Sequence, residues 1–469
     1  MIPAMERTRR RIFTLCLLFC GLLTQYAAGA PAADLGVRVA ESGAGYDGYL
    51  VAIPGERLPP ALADEMEPVA EHVYWTDNAA ALEEVLFSGM AEYIEPNYVV
   101  TLCEDGGEMG GDAIRSAYAA RYGLDGTGSR IAVIDSGVDP SNRNLRRAAI
   151  VGGYDYVRET TAMSDDLGHG TDIVQIIAGD GDDGAAGVAR GAEVVVLRCF
   201  SESGGGTVRL LVQAITDAVD MYGCNVINMS WGVKAKSEAL YRAIRHAYEA
   251  GAILVAAAGN VEAQFPQGTL VYPATWGEVI GVGAVNDDLS VAGYSQKTEA
   301  VTVCAPGTVG ALVGRNGEIS LKYGTSYAAP CIAAMAAIVK GLAPFMEPED
   351  ILALLRSRAE DLGDAGYDTA YGYGFLRIDR LLAEPWRAVR YDNDEPVLYG
   401  WQISDGGSRV LIAIYDDAGR LKDVSILGSE EAVFRFEYAF PMSQDAQEYA
   451  ALCLNGAYVP LTESLRFST

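Results

Sequence analysis

Apolar segments that alternate with amphipathic stretches constrain the fold of this chain more than any other feature of its sequence. Between about residues 113 and 385, the segments IAVID, EVVVLRCF, NVINMS, AILVAAAGN and EVIGVGAV are apolar almost throughout, and helical periodicity separates them over 208–222 and 237–250. Such strands, joined by helices, are typical of a parallel sheet that is covered on both faces. We therefore predict an α/β fold in which helices flank a parallel sheet.

Polar residues end two of these apolar segments. Asp135 follows IAVI, and Asn260 follows AILVAAAG. Active-site residues collect at the carboxyl ends of parallel strands, and a carboxylate there is costly to bury unless another group hydrogen-bonds it. Orienting a histidine would meet that need for Asp135. A turn aspartate or a calcium ligand is the alternative for Asp135, and a turn asparagine the alternative for Asn260.

A serine nucleophile needs a base that removes its proton, and the chain has three histidines. His72 lies in the N-terminal region, and His246 lies on the polar side of a predicted helix. His169 in GHGTD remains, at a helix start flanked by glycines. Ser326 in GTSYAAP begins a long apolar helix, so its hydroxyl and backbone N–H lie at the positive helix end. Helix capping is the structural alternative for both residues.

The order in which these residues occur separates serine enzymes of different ancestry. Asp135, His169 and Ser326 occur in IAVIDSGVD, GHGTD and GTSYAAP, whereas the chymotrypsin and α/β-hydrolase lineages use other orders. A lipase or esterase is disfavoured further because no GxSxG motif is present. The chain resembles the subtilisin-like serine proteases over roughly 34–385. The resemblance implies a secreted endopeptidase, made as a zymogen, that needs no cofactor for its chemistry and acts on proteins or peptides.

The same resemblance implies roles for residues around the nucleophile. Asn260 would supply a side-chain N–H for the oxyanion, beside the backbone N–H of Ser326. An extended peptide would lie between two segments, with Gly204, Gly205 and Gly206 on one side and Ser230, Trp231 and Gly232 on the other. Together with Ala258 and Gly259, these segments would border the pocket for the residue before the scissile bond. Val271 would narrow that pocket.

One departure from the family pattern lies in the helix after His169. Val174 and Gln175 stand where the family usually has a smaller Ala and Gly. This leaves open an alternative reading, a catalytically impaired relative that binds peptides.

The N-terminal region predicts two segments that are removed. Residues 1–33 carry four arginines and then twelve apolar residues, Ile12 to Leu23, which suits a signal peptide and is too short for the roughly 20 residues that span a bilayer. Residues 34–110 read as a small α+β unit whose AEYIEPNYVV resembles the closing strand of a subtilase propeptide. That resemblance implies an intramolecular inhibitor whose tail lies in the substrate cleft, with cleavage in the linker 101–112. An ordinary interdomain loop is the alternative for the linker.

The remaining boundaries follow from a change in the hydrophobic pattern after Trp386, where alternating apolar and polar residues replace the continuous apolar segments. Residues 111–385 form the predicted catalytic domain, and 386–469 alternate as β-strands do, which predicts a small β-sandwich-like domain. That domain could be a binding or cell-surface module, or a spacer that stabilises the protease.

Charge and cysteines exclude other classes. A net charge of −28 leaves no basic footprint for nucleic acid. The segment GDGDDG matches the GxGxxG pattern of dinucleotide-binding loops, but its aspartates would repel a pyrophosphate, so dinucleotide binding is excluded. Asp180, Asp182 and Asp183 suit either a structural calcium ion or an exposed acidic turn. Five cysteines of the predicted mature chain show no disulfide or metal spacing, which predicts buried free thiols.

Overall fold

The computed structural model describes residues 46–54, 58–59, 62–88, 90–102, 114, 116–263, 265–392, 395–405, 407–416, 421–440, 446–455 and 460–467. The predicted signal peptide lies outside these residues, as do 103–112 of the predicted linker. The division into domains therefore stays a prediction at those boundaries.

The N-terminal part of the described chain forms a small α+β unit. Its elements are β1 (Tyr46–Ala52), β2 (Glu67–Ala70), β3 (Val73–Thr76), α1 (Ala79–Ser88) and β4 (Tyr93–Leu102). The strands pair antiparallel in the order β4-β1-β3-β2. Val51, Val85 and Ile94 are buried in a core between this sheet and α1, so the unit has a hydrophobic core of its own.

A seven-stranded parallel sheet forms the centre of the molecule. In spatial order its strands are β13 (Val303–Pro306), β12 (Val279–Val285), β11 (Ile253–Ala257), β9 (Val226–Met229), β5 (Arg130–Asp135), β7 (Glu193–Arg198) and β6 (Ala149–Asp155). Neighbouring strands pair in parallel throughout. The predicted α/β fold is confirmed.

Helices cover both faces of this sheet because its strands are apolar on both sides. They are α2 (Ser116–Arg121), α3 (His169–Ala178), α4 (Val208–Asp220), α5 (Glu238–Glu249), α6 (Thr325–Leu342), α7 (Pro348–Arg358) and α8 (Ile378–Ala383), with a short 3-10 helix at Arg143–Leu145. Ile131 and Val133 of β5 pack into the core that contains α3 and α6. Ala132 and Ile134 face the opposite core with α4 and α5. The two amphipathic helices predicted from the sequence correspond to α4 and α5.

Three short elements flank the sheet near the carboxyl ends of its strands. They are β8 (Gly205–Thr207), β10 (Trp231–Gly232) and the hairpin of β14 (Thr308–Val313) with β15 (Ile319–Tyr323). The hairpin leads through Gly324 directly into α6, so its position sets where that helix begins.

The C-terminal part forms two antiparallel sheets. Its strands are β16 (Trp386–Asp392), β17 (Glu395–Ile403), β18 (Ser408–Asp416), β19 (Leu421–Ser429), β20 (Val433–Ala439), β21 (Ala446–Asn455) and β22 (Leu465–Phe467). They pair in the orders β16-β17-β20 and β19-β18-β21-β22. Leu398 and Phe436 from one sheet pack against Val410 and Ile412 from the other. This is the arrangement of a sandwich.

The C-terminal sandwich shares its packing with the central sheet. On the side of β17 opposite Leu398, Tyr399, Trp401 and Ile403 belong to the same buried core as α6 and β5. Trp401 is fully buried and stacks on Trp386, with ring centroids 5.1 Å apart. The sequence did not reveal this contact, because alternation along a strand does not show what covers its second face.

Two further expectations concern membrane spans and thiols. Among the described residues, one helix, α6, is long and apolar enough to cross a membrane, and 94% of its apolar window is buried within the protein. The prediction of free buried thiols is confirmed for the five described cysteines, Cys199, Cys224, Cys304, Cys331 and Cys453.

Trp401→Ala tests the shared core. Deleting a fully buried indole is expected to lower the free energy of unfolding by about 3–5 kcal/mol, because transfer and cavity terms add. Urea unfolding followed by fluorescence measures the change. Tyr391→Ala, in the same sheet but 55% exposed, is the matched control and should change it by less than about 0.5 kcal/mol. Equal losses in both variants would contradict the packing described.

Candidate active site

The Asp135 carboxylate lies at the carboxyl end of β5 and has no exposure to solvent. Its Oδ1 accepts a hydrogen bond from the backbone N–H of Ser136 at 2.7 Å and lies 2.7 Å from Nδ1 of His169. A buried carboxylate accepts and cannot donate when it is ionised. The proton of a neutral His169 imidazole is therefore on Nδ1, and the basic lone pair is on Nε2.

His169 is the first residue of α3, and glycines let that helix approach the loop after β5. A Cβ on Gly170 would lie 2.2 Å from the carbonyl oxygen of Gly137. Gly168, the N-cap residue, has a φ of 95°, which favours glycine. The glycines of GHG therefore serve the placement of His169, and the sequence prediction of a helix start at this histidine is confirmed.

Ser326 lies in the first turn of α6 and is buried beside His169. The ring of the next residue, Tyr327, meets the imidazole of His169 edge to face, with centroids 5.4 Å apart. The hydroxyl of Ser230 donates to the carbonyl oxygen of Ser326 at 2.7 Å. Asp135 and His169 are thus in contact at the rim of the parallel sheet, and the helix turn that carries Ser326 packs against the same imidazole through Tyr327.

Asn260 contributes a buried amide group whose orientation is fixed. Its Oδ1 accepts from the backbone N–H of Thr325 at 3.0 Å and from the hydroxyl of Thr325 at 2.8 Å. A backbone N–H can only donate, so the oxygen of Asn260 must lie on that side. Its Nδ2 is buried and has no hydrogen-bond partner among the residues that the structure describes. A buried donor without a partner costs about 1–3 kcal/mol of folding free energy. This N–H group is therefore a candidate to bind a substrate atom.

The two glycine-containing edges named from the sequence face each other across an extended strand. That strand is β4, from the N-terminal unit. Its Thr101 and Val100 pair antiparallel with Gly205 and Gly206 of β8. On the other side, Leu102 and Thr101 pair antiparallel with Trp231 and Gly232 of β10.

The remaining predicted site residues lie around the same cleft. Gly204 precedes β8, Ser230 precedes β10, and Ala258 and Gly259 lead from β11 to Asn260. Gly259 donates its N–H to the hydroxyl of Thr325 at 3.2 Å. These residues therefore lie on the two elements that pair with β4 and on the segment that leads to Asn260.

Sequence reasoning missed two residues that hold the N-terminal unit in place. The carboxylate of Glu95 accepts from the hydroxyl of Ser237 and from the N–H groups of Glu238 and Ala239, at 2.6–2.9 Å, and so caps α5. Burial raises the pKa of Glu95, against these three hydrogen bonds. Asn97 accepts from the N–H at position 209, at the start of α4, at 2.7 Å. Both lie in AEYIEPNY, where the polar positions inside an apolar strand were the available signal.

Gln175 is accommodated in the helix after His169. Its side chain is fully buried, donates to the carbonyl oxygen of Val313 at 3.0 Å and accepts from the N–H of Val313 at 2.9 Å. Asn144 donates to the same Oε1 at 3.2 Å. The larger residue thus ties α3 to the β14–β15 hairpin, and its polar atoms are paired.

The acidic loop gives a calcium ion a poor fit. Asp182 and Asp183 contact the guanidinium groups of Arg147 and Arg146, and Asp180 accepts the backbone N–H of Arg147 at 3.1 Å. Among the described residues, no group of three or more His, Cys, Asp or Glu side chains is placed to hold a metal ion. The arginines supply the positive charge that these carboxylates need.

Treatment with EDTA tests the fit of calcium. We expect a change in Tm of less than about 2 °C, because a calcium ion present at 100 times its dissociation constant would add about 2.7 kcal/mol, which is several degrees. Differential scanning calorimetry measures Tm. Arg146→Ala with Arg147→Ala frees the carboxylates and is the control in which added calcium should raise Tm. A loss of several degrees on chelation in the wild type, restored by calcium, would contradict this expectation.

Comparison with known proteins agrees with this geometry. A family model described as the subtilase family matches residues 126–374, slightly more than half of the chain. The chain is 34% identical to the minor extracellular protease Epr of Bacillus subtilis over 57% of this chain and 40% of Epr. It is 34% identical to subtilisin DY of Bacillus licheniformis over 57% of this chain and 95% of that protein. It is 29% identical to subtilisin E of Bacillus subtilis, over 64% and 77% of the two chains.

Proposed function

The chain belongs to the subtilase family of serine-type endopeptidases, and on that basis we propose that it cleaves peptide bonds through an acyl-enzyme on Ser326. The proposal assigns His169 as base and then acid, Asp135 as the group that orients it, and Asn260 as an oxyanion donor. The observation that carries it is the buried hydrogen bond between Asp135 and His169 beside the first turn of α6.

The first step is proton removal from the nucleophile. With Nδ1 of His169 held by Asp135, Nε2 is the atom that takes the proton of the Ser326 hydroxyl while Oγ attacks the scissile carbonyl carbon. The imidazolium that forms is stabilised by the carboxylate 2.7 Å away. Nε2 then gives its proton to the departing amine. In the second half of the reaction, Nε2 takes a proton from a water molecule that attacks the acyl carbon. The ester bond to Ser326 then breaks, and the imidazolium returns the proton to Oγ.

The oxyanion of each tetrahedral intermediate needs preorganised donors. The buried Nδ2 of Asn260 is one, and its direction is set before substrate binds because Thr325 holds the other end of the amide. The backbone N–H of Ser326, in the first turn of a helix of 18 residues, is the second. Donors fixed in advance need no reorganisation when charge develops.

We further propose that the N-terminal unit is a propeptide and an intramolecular inhibitor. Its strand β4 occupies both edges of the cleft, as a peptide substrate would by strand addition. Apolar side chains of the unit, Tyr98 and Val100 among them, pack into the core that contains α4 and α5. Polar contacts add to this: Glu95 caps α5, and Arg242 pairs with Glu92 at 2.6 Å and lies over the ring of Tyr93. A segment held this well blocks the cleft until the chain is cleaved within the predicted linker 101–112.

Secretion completes the proposal. Epr is named an extracellular protease, and residues 1–33 have the composition of a signal peptide. We propose that the chain acts outside the cell on proteins or peptides after both N-terminal segments are removed. The rival reading, a peptide-binding relative without activity, rested on the helix after His169, where Gln175 is now seen to be fully hydrogen-bonded.

Ser326→Ala separates the enzyme from the inactive relative. The variant should remain at its unprocessed mass and should not react with a fluorophosphonate probe, because both need the hydroxyl. The wild type should lose the N-terminal unit and label. Intact mass spectrometry and in-gel fluorescence measure the two outcomes. Ser203→Ala is a matched control, because the Ser203 hydroxyl is exposed and lies 2.9 Å from the hydroxyl of Ser201. Equal release and equal labelling in Ser326→Ala and wild type would refute the assignment.

Asn260→Ala tests the oxyanion role. Loss of one such donor is expected to lower kcat by about 10²–10³-fold with little change in KM, because the interaction forms only in the transition state. Steady-state hydrolysis of a peptide anilide by the processed protein measures both constants. Asn286→Ala, in an exposed turn, is the control. A rise in KM with unchanged kcat would instead assign Asn260 to ground-state binding.

A further inference from the structure

Asp165 is a buried carboxylate in the loop that leads to α3. The residue is 4% exposed, and its Oδ1 accepts from the hydroxyl of Ser136 at 2.9 Å and from the N–H groups of Leu167 and Gly168 at 3.1 and 2.8 Å. Its Oδ2 accepts from the N–H and the hydroxyl of Thr171 at 2.8 and 2.6 Å. A carboxylate is costly to bury without such donors. Neither proton transfer nor oxyanion binding uses this group, so a different role must explain its burial.

Ser136 links this carboxylate to both members of the buried Asp–His pair. Its N–H donates to Oδ1 of Asp135 at 2.7 Å, and its hydroxyl donates to Asp165 while accepting from the N–H of Gly170 at 2.9 Å. Ser136 follows Asp135 in the chain, and Gly170 follows His169. One hydroxyl group, oriented by Asp165, therefore joins the loop after β5 to the backbone of α3 at the point where Asp135 and His169 meet.

Asp165 also caps the helix that begins with His169. The N-cap residue of α3, Gly168, has no side chain that could accept a hydrogen bond from the first turn. Asp165 takes over that function, because its Oδ2 accepts from the N–H of Thr171 in this turn. Its negative charge lies at the positive end of α3, which is a favourable placement. The position of the first turn, and with it the position of His169, depends on Asp165.

Arg198 fixes the chain on either side of Asp165. This arginine is the last residue of β7, pairs in register with Asp135 of β5, and is 1% exposed. Its guanidinium group donates to the carbonyl oxygen of Ser164 at 2.6 Å and to Oδ2 of Asp166 at 3.1 Å. The residues before and after Asp165 are thus anchored to the same sheet edge that carries Asp135. A carboxylate held in this way has little freedom to follow a displaced helix.

We propose that Asp165 is a positioning residue, which holds His169 against Asp135 through the Ser136 hydroxyl and the first turn of α3. This inference rests on the proposed peptide hydrolysis and adds a residue that acts on the reaction only through His169 and Asp135. Reacting groups must be held close to their productive geometry, and a displacement of about 1 Å lowers the rate by about 100-fold. A small shift of α3 is therefore enough to slow proton transfer from Ser326.

Asp165→Asn tests this role, because an amide cannot accept hydrogen bonds with both ends. In either orientation, its NH2 group faces a backbone N–H that now donates to the carboxylate. We expect release of the N-terminal unit to slow by about 10–100-fold, and kcat for a peptide anilide to fall by the same factor with KM within about threefold. Intact mass spectrometry and steady-state hydrolysis measure these values. Asp288→Asn, in an exposed turn where the carboxylate accepts from the N–H of Ser290 at 2.9 Å, is the matched control and should behave as wild type.

A spectroscopic measurement reports on the contact between Asp135 and His169 without any turnover. The chain has three histidines, so protein labelled with ¹⁵N-histidine gives few signals, and a Ser326→Ala background keeps every variant unprocessed. Asp165→Asn in this background should lose the slowly exchanging Nδ1–H signal of His169, since the hydrogen bond to Asp135 no longer protects that proton from water. The ring signals of the other two histidines, whose side chains are partly exposed, should not change. A variant that is merely less stable would keep the Nδ1–H signal.

Ser136→Ala breaks the same link from its other end and serves if Asp165→Asn does not fold. It should lower kcat by about tenfold. The double variant should lose less activity than the product of the two single losses, because either substitution breaks the same link. Losses that multiply would show that the two residues act independently and would overturn the proposed link.

The outcomes separate this inference from the proposed function. A folded Asp165→Asn protein that releases its N-terminal unit and hydrolyses the anilide at wild-type rates overturns the role of Asp165 and leaves the proposed chemistry intact. A slower Asp165→Asn protein with the His169 signal unchanged overturns it too. A wild type that neither reacts with fluorophosphonate nor hydrolyses the anilide overturns the proposed function, and the His169 signal then decides alone whether Asp165 holds the pair.

Discussion

The buried charge of Asp135 is the constraint on which the rest of the site depends. A carboxylate without solvent at the end of an apolar strand is tolerated only with good hydrogen-bond donors close by. One donor is local, the N–H of Ser136, and the other must come from a separate element, the imidazole of His169. The close approach of α3 to the loop after β5 requires glycine at position 170, because a Cβ there would lie 2.2 Å from the carbonyl oxygen of Gly137. The motif residues around His169 are thus explained by packing as well as by chemistry.

The parts of the fold that follow from local pattern could be predicted, and those that depend on distant partners could not. Uninterrupted apolar strands indicated the parallel sheet. Because active-site residues collect at the carboxyl ends of parallel strands, the sequence also placed Asp135 and Asn260 at one edge of that sheet. The direction of the Asn260 amide depends on Thr325, 65 residues away. Gln175 looked too large for its helix because its partner, Val313, lies 138 residues along the chain. Neither contact can be predicted from the hydrophobic periodicity of the sequence, because that periodicity reports only on local structure.

Long-range contacts also determine the packing of two regions whose role the sequence left open. In the C-terminal part, alternation predicted strands, yet it could not show that Trp401 fills the core of the neighbouring domain. In the acidic loop, the aspartates alone suggested a cation, while their arginine partners are Arg146 and Arg147, the two residues that directly follow the 3-10 helix at Arg143–Leu145. In both cases the missing information was the identity of the group on the other side.

Strand β4 belongs to two sheets at once, since it pairs with β1 in the N-terminal unit and with β8 and β10 in the cleft. Its departure leaves two short backbone edges that accept only a chain already stretched out between them. Folded proteins seldom offer several successive residues with unpaired backbone groups. A cleft built in this way selects its occupants by backbone conformation before any side chain is recognised, and a segment must leave its own fold before it can lie there.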